Sequence, residues 1–145
     1  MYHNNSNIFK ADSVVKTLIL CIFTLGCYLI YKLYYFSKAI NHNTELKISK
    51  AFIAVTILMF SISFLSLVYS LVNLHEPHIL KASIGLHVIS SILDVSWIVM
   101  VRNRINVITG ANKGDKNWLN PFVTSIFHVV YMQYKINQSL LKSYT

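Results

Sequence analysis

Hydrophobic and polar positions divide this chain into blocks of two lengths. Residues 51–73 hold neither a charge nor a proline, and residues 79–101 are almost as apolar, with Lys81, His87 and Asp94 as their titratable positions. Each block predicts a helix, and about twenty helical residues cross the roughly 30 Å hydrocarbon layer of a membrane. The short connection around Glu76-Pro77 makes the two antiparallel neighbours. On either side lie shorter apolar runs. Residues 17–31 are uncharged but interrupted by Gly26, and 122–134 follow Pro121. Fifteen helical residues reach only about 22 Å. Each flanking segment (14–40, bent near 26, and 119–137) is therefore read as either a re-entrant dip or a kinked span. Asp12 or Ser13 is placed to cap a helix from Val14, and Pro121 to open the last one. Arg102 and Arg104 are expected to end the second long helix and open a basic loop, 102–117.

The long blocks carry patterned polar positions. Ser63, Ser66 and Ser70 recur on one helical face of the first, and Ser83, His87, Ser90 and Asp94 on one face of the second. Folding the pair about its loop sets Ser70 level with Ser83, Ser66 with His87 and Ser63 with Ser90. Such a seam predicts interhelical hydrogen bonds, about 0.6–2 kcal/mol each in lipid.

Composition strengthens the membrane reading. Of the 145 residues 54% are hydrophobic and 12% charged, against about a quarter charged in soluble domains. The expected class is an all-α integral membrane protein: a central transmembrane hairpin between two shorter membrane segments. It forms one domain, 1–145, with polar tails at 1–13 and 138–145. The net charge of +8 sits between apolar blocks as a topology signal, rather than in a nucleic-acid stripe. If only the long blocks cross, twelve of the thirteen basic residues share one side; four spans would divide them eight to five. The lopsided count favours re-entrant flanks with both termini cytoplasmic. Cys21 and Cys27 fit neither a metal pair nor a disulfide framework, and His75 with His78 reads as a solvated turn. No cofactor or metal is expected.

One motif stands out: Thr24-Leu25-Gly26, then Tyr28, Tyr31 and Tyr34, then Lys38-Ala39-Ile40-Asn41. A degenerate copy closes the chain as Thr124, His128, Tyr131, Tyr134 and Lys135-Ile136-Asn137, preceded by Asn120-Pro121. The pattern resembles a family of small bacterial multi-pass membrane proteins known only as a domain of unknown function. The chain departs from that family at Leu29, Lys32 and His128, where members carry a small residue, a tryptophan and a small or apolar residue. The resemblance implies this architecture and a bacterial inner-membrane location, and implies no chemistry.

Asp94 is the leading candidate for function, because an acid within a span is costly and faces protein or water. The expectation is a hydrogen bond to His128 or a tyrosine, with a structural role weighed above proton relay. No nucleophile–base order, paired catalytic carboxylates or phosphate loop appears, so an enzyme is not expected. The reading is a non-enzymatic partner-binding, regulatory or immunity-type membrane module. Its partners are the bilayer and another membrane protein or a second copy, with no nucleic acid. The alternative is a small oligomeric pore or transporter using the His87/Asp94 seam.

Overall fold

A computed structural model describes residues 8–73 and 75–142. Among these the chain is entirely helical: α1 Val14–Phe23, α2 Cys27–Asn43, α3 Lys50–Val72, α4 Pro77–Ile108 and α5 Pro121–Lys142. Both α3 and α4 are long and apolar enough to cross a membrane. The contacts separate into two compact units, Ser49–Trp97 and the remainder of the chain on either side of it.

The Ser49–Trp97 unit is a helical hairpin. Ser49 caps α3 through its hydroxyl, which accepts from the Phe52 N–H. Pro77 takes the first helical position of α4, where its missing N–H costs nothing. Ser66 pairs with Ser83 at 2.7 Å and Ser63 with His87 Nδ1 at 2.8 Å. The register is thus about one turn away from the expected pairing of Ser66 with His87 and Ser63 with Ser90. The reason lies in the tight turn. Because Pro77 already belongs to α4, the hairpin folds about a point nearer Val72 than the sequence spacing suggested.

In the second unit the chain doubles back twice. Ser13, rather than Asp12, caps α1, accepting from the Lys16 N–H. The Thr24 hydroxyl donates to Leu20 O at the end of α1 and accepts the Tyr28 N–H at the start of α2, at 2.7 and 2.9 Å. Leu25 (φ 49°) and Gly26 (φ 92°) complete the turn in the left-handed region. A continuous helix would separate residues 12 and 32 by about 30 Å, yet Asp12 Oδ2 lies 2.7 Å from Lys32 Nζ. Segment 14–40 is therefore a helical hairpin with its tip at residues 24–26.

Segment 119–137 does the same without a glycine. Asn120 caps α5 through the N–H groups of Phe122 and Val123. The helix then breaks at His128 (φ 45°, ψ −129°). A straight helix would put residue 135 about 24 Å from residue 119. Instead Lys135 Nζ donates to the carbonyl of Lys116, three residues before Leu119. The limbs 121–127 and 129–142 fold toward each other, and the second continues five residues past the expected boundary.

The α4 helix also outruns its expected end, continuing to Ile108. Val101, Ile105 and Ile108 keep an apolar stripe buried beyond the arginines. Arg102 Nε donates to Leu119 O and Arg104 Nε to Leu46 O, both at 2.8 Å, so neither charge interrupts the helix. Trp97, Phe36, Leu33, Ile40, Ile48, Leu119 and Met132 are among the largest fully buried side chains.

Candidate functional site

The two short hairpins meet at a buried polar junction. Lys32, 5% exposed, has its ammonium on Asp12 Oδ2 at 2.7 Å and Gln133 Oε1 at 3.0 Å. The rings of Tyr35 and Phe36 lie 5.8 and 5.7 Å from the same nitrogen. Gln133, fully buried, donates its amide to Lys10 O (3.1 Å) and Asn137 Oδ1 (2.9 Å). Asn137 then holds Asp12 by both backbone groups, accepting its N–H at 3.3 Å and donating to its carbonyl at 2.8 Å. Phe9 closes the junction, edge-on to Phe36 with ring centres 5.9 Å apart. The Asp12 carboxyl is held below its ordinary value of 3.8, chiefly because Lys32 hydrogen-bonds its charged form, while burial pushes the other way.

The Asn137 clamp has two counterparts. Asn41 accepts the Ile48 N–H at 2.6 Å and donates to its carbonyl at 2.8 Å. Asn106 does the same to Leu119, at 2.8 and 3.3 Å. Each asparagine follows a buried isoleucine: Ile40, Ile105 and Ile136. The repeated Ile-Asn dipeptide thus pins three connecting segments through a full amide-to-backbone pair. The reading of the motif found Asn41 and Asn137. Asn106 was missed because it lies in what was read as a loop, although Arg104-Ile105-Asn106 repeats Lys135-Ile136-Asn137 in sequence.

The other motif residues divide by role. Thr24, Leu25 and Gly26 form the first tip. Thr124 is buried and donates to Asn120 O, as Thr17 does to Ser13 O. Tyr28 and Tyr31 pack ring to ring at 5.7 Å, while Tyr31 and Tyr34 are largely exposed, as is Lys38. Lys135 lies over the Tyr131 and Tyr134 rings at 5.5 and 5.7 Å, and Arg102 over Trp118 at 5.3 Å. The sequence repeat sets Ile126 against Gly26, but the second turn falls two residues later, at His128. Histidine visits positive φ more readily than a β-branched isoleucine.

The serine seam is half closed. Ser66 and Ser83 pair, as do Ser63 and His87, whereas Ser70 turns back onto Leu67 O at 2.8 Å. Ser90 Oγ and Asp94 Oδ1 are buried without a hydrogen-bond partner among the described residues, as is His128 Nδ1. Asp94 Oδ1 thus has neither a histidine nor a tyrosine partner among the described residues. On α3 the observed register places Asp94 level with Val55 and Thr56, and the Thr56 hydroxyl already donates to Phe52 O at 2.9 Å.

An open cleft of about 620 Å³ in the larger unit is lined in part by Asp115, Lys116, Asn117 and Gln138. Gln138 Nε2 donates to the Tyr134 hydroxyl, and its Oε1 is buried without a partner among the described residues. No group of three or more His, Cys, Asp or Glu gathers there or elsewhere among the described residues. No protein-family model matches the chain, and neither curated proteins nor solved structures yield a match. The site must speak for itself.

Proposed function

We propose that the chain is a multi-pass integral membrane protein and a non-enzymatic binding module for another membrane protein or a second copy of itself. In this reading α3 and α4 span the bilayer, and the two short hairpins dip into one leaflet. The observation that carries it is the apolar exterior of the long helices. Only 17% of the most apolar stretch of α3 is buried, and 22% of that of α4. A core helix of a soluble protein would be mostly covered, and neither helix lies at the N-terminus as a signal sequence does. More than ten large apolar side chains on the two helices are exposed, among them Leu58, Leu65, Leu71, Ile84 and Ile92. At about 1 kcal/mol each, leaving them in water forfeits about 10 kcal/mol, comparable to the whole stability of a domain. Lipid removes that penalty.

Binding is favoured over conduction because the seam spends its polar groups internally. Ser63, Ser66, Ser83 and His87 satisfy one another within one hairpin. Ser90 and Asp94 remain as unpaired polar atoms that a partner helix can satisfy. The bacterial inner membrane, implied by the family resemblance, is the proposed location. Alkaline carbonate extraction followed by reconstitution into proteoliposomes with an entrapped pH dye tests both parts. Retention in the membrane without proton flux is expected. Extraction into the supernatant rules out the membrane reading, and a flux abolished by Asp94→Asn establishes the pore instead.

A further inference from the structure

We infer that the two short hairpins form a wedge for a single leaflet, with apolar tips among the acyl chains and a basic collar holding acidic phospholipid headgroups. This rests on the membrane reading above and adds a partner class to it.

Charge is the first ground. Eleven of the thirteen basic residues and three of the five acids lie outside Ser49–Trp97. The unit containing the short hairpins therefore carries all eight net positive charges, and the α3–α4 hairpin holds two of each sign. Among the described residues of that unit only Lys32 and Lys47 reach a carboxylate. Lys10 and Lys16, at the base of the first hairpin, are exposed and among the described residues have no acid in ion-pair range.

The second ground is the placement of apolar surface. Val15, Leu18, Ile19 and Ile22 make one exposed stripe on α1, and Phe23 and Leu25 at the tip are 81% and 74% exposed. Phe122, Ile126 and Phe127 are also exposed on the first limb of α5. Ten helical residues rise about 15 Å, the depth of one hydrocarbon leaflet. Arginine and lysine stacked on Trp118, Tyr131 and Tyr134 supply the aromatic–cation belt expected at headgroup level. The buried Asp12–Lys32–Gln133 junction ties the hairpins together at that level, so the wedge enters as one piece.

The test uses the full chain in nanodiscs of phosphatidylcholine, or of an equal mixture of phosphatidylcholine and phosphatidylglycerol. Cys21 and Cys27 are replaced by serine, and single fluorescent labels are placed at Leu25→Cys, Phe127→Cys and Leu65→Cys. Acyl-chain quenchers are expected to reach all three labels, and native mass spectrometry to show phosphatidylglycerol retained over phosphatidylcholine. The double variant Lys10→Gln/Lys16→Gln should weaken that preference by about fivefold per lysine, and Lys10→Arg/Lys16→Arg should keep it. An unquenched label at position 65 removes the membrane reading itself. Quenching at 65 without quenching at 25 and 127 overturns the wedge alone. Equal retention of both lipids, or a preference untouched by the glutamine pair, overturns the basic collar.

Discussion

Replacing Asp12 by asparagine tests whether the junction organises the hairpins. The substitution keeps the shape of the side chain but removes its negative charge, so the Lys32 ammonium, 5% exposed, is left with neutral oxygens alone, the new amide oxygen and Gln133 Oε1. Removing one member of a fully buried pair costs about 3–5 kcal/mol. Here the Asp12 side chain is 31% exposed, so water can approach, and two aromatic faces remain over the ammonium. The expected loss is about 2 kcal/mol, or about 6–8 °C in the midpoint of thermal unfolding in detergent. Lys32→Met removes the charge itself and should cost less, about 1 kcal/mol, because Asp12 can re-solvate while Gln133 loses a partner. Asp12→Asn/Lys32→Met should then be more stable than Asp12→Asn alone. The pH dependence has a fixed sign. A carboxyl lowered below 3.8 stabilises fully above the unfolded value, and the contribution fades as pH falls through the folded value. Wild type should lose stability more steeply than the Asp12→Asn protein below about pH 4. An unchanged midpoint in Asp12→Asn, or simple addition of the two single costs, would refute the reasoning.

Three further substitutions probe separate elements. Asn106→Ala leaves the buried Leu119 N–H without its side-chain partner and its carbonyl with Arg102 Nε alone, and should lower stability by about 2 kcal/mol in the same melt. His128→Gly should raise the midpoint, by relieving about 1–3 kcal/mol of backbone strain. His128→Val should lower it, since a β-branched side chain tolerates this φ worse. Ser63→Ala should cost about 0.6–2 kcal/mol, and additivity with His87→Ala would show that the pair is not coupled.

The long helices were legible because uncharged length is a strong one-dimensional signal, and α3 matches its expected range to within a residue. The bend near residue 26 was legible for a similar reason: Gly26 interrupts an otherwise continuous apolar run. Its counterpart at His128 carried no such mark, because nothing in a histidine announces a positive φ. The seam was legible as chemistry but not as register. The pairing depends on where Pro77 starts its helix, and a shift of three residues trades one serine partner for another. The junction was the least legible. Lys32 appeared as an oddity at a tryptophan position and Asp12 as a cap, and their pairing needs the chain to turn back between them. Gln133 and Asn137, 101 and 125 residues from Lys32 and Asp12, join the site through the fold alone.

The doubled-back geometry also fixes a relation between the ends of the larger unit, which separates the two readings of its short segments. Asp12 is bonded to Asn137, and Lys135 to Lys116, so the approach to α1, the end of α5 and the loop after α4 belong to one locality. A kinked span would instead carry residue 12 to the opposite membrane face from residue 41. Single cysteines at Ala11 and Lys113, in a background without Cys21 and Cys27, should therefore react with an impermeant maleimide from the same side of sealed vesicles. With α3 and α4 crossing as proposed, a cysteine at Glu76 should react from the other. Under the proposed topology the positive-inside bias would make the first side the cytoplasmic one, with twelve of the thirteen basic residues on it. Labelling of Ala11→Cys from the Glu76 side would mean that α1 crosses the membrane. The Asp12–Lys32 pair would then have to break on insertion, leaving the ammonium at the end of the uncharged run 17–31 without its counterion. That cost is why the ion pair, more than the glycine bend, argues for a dip.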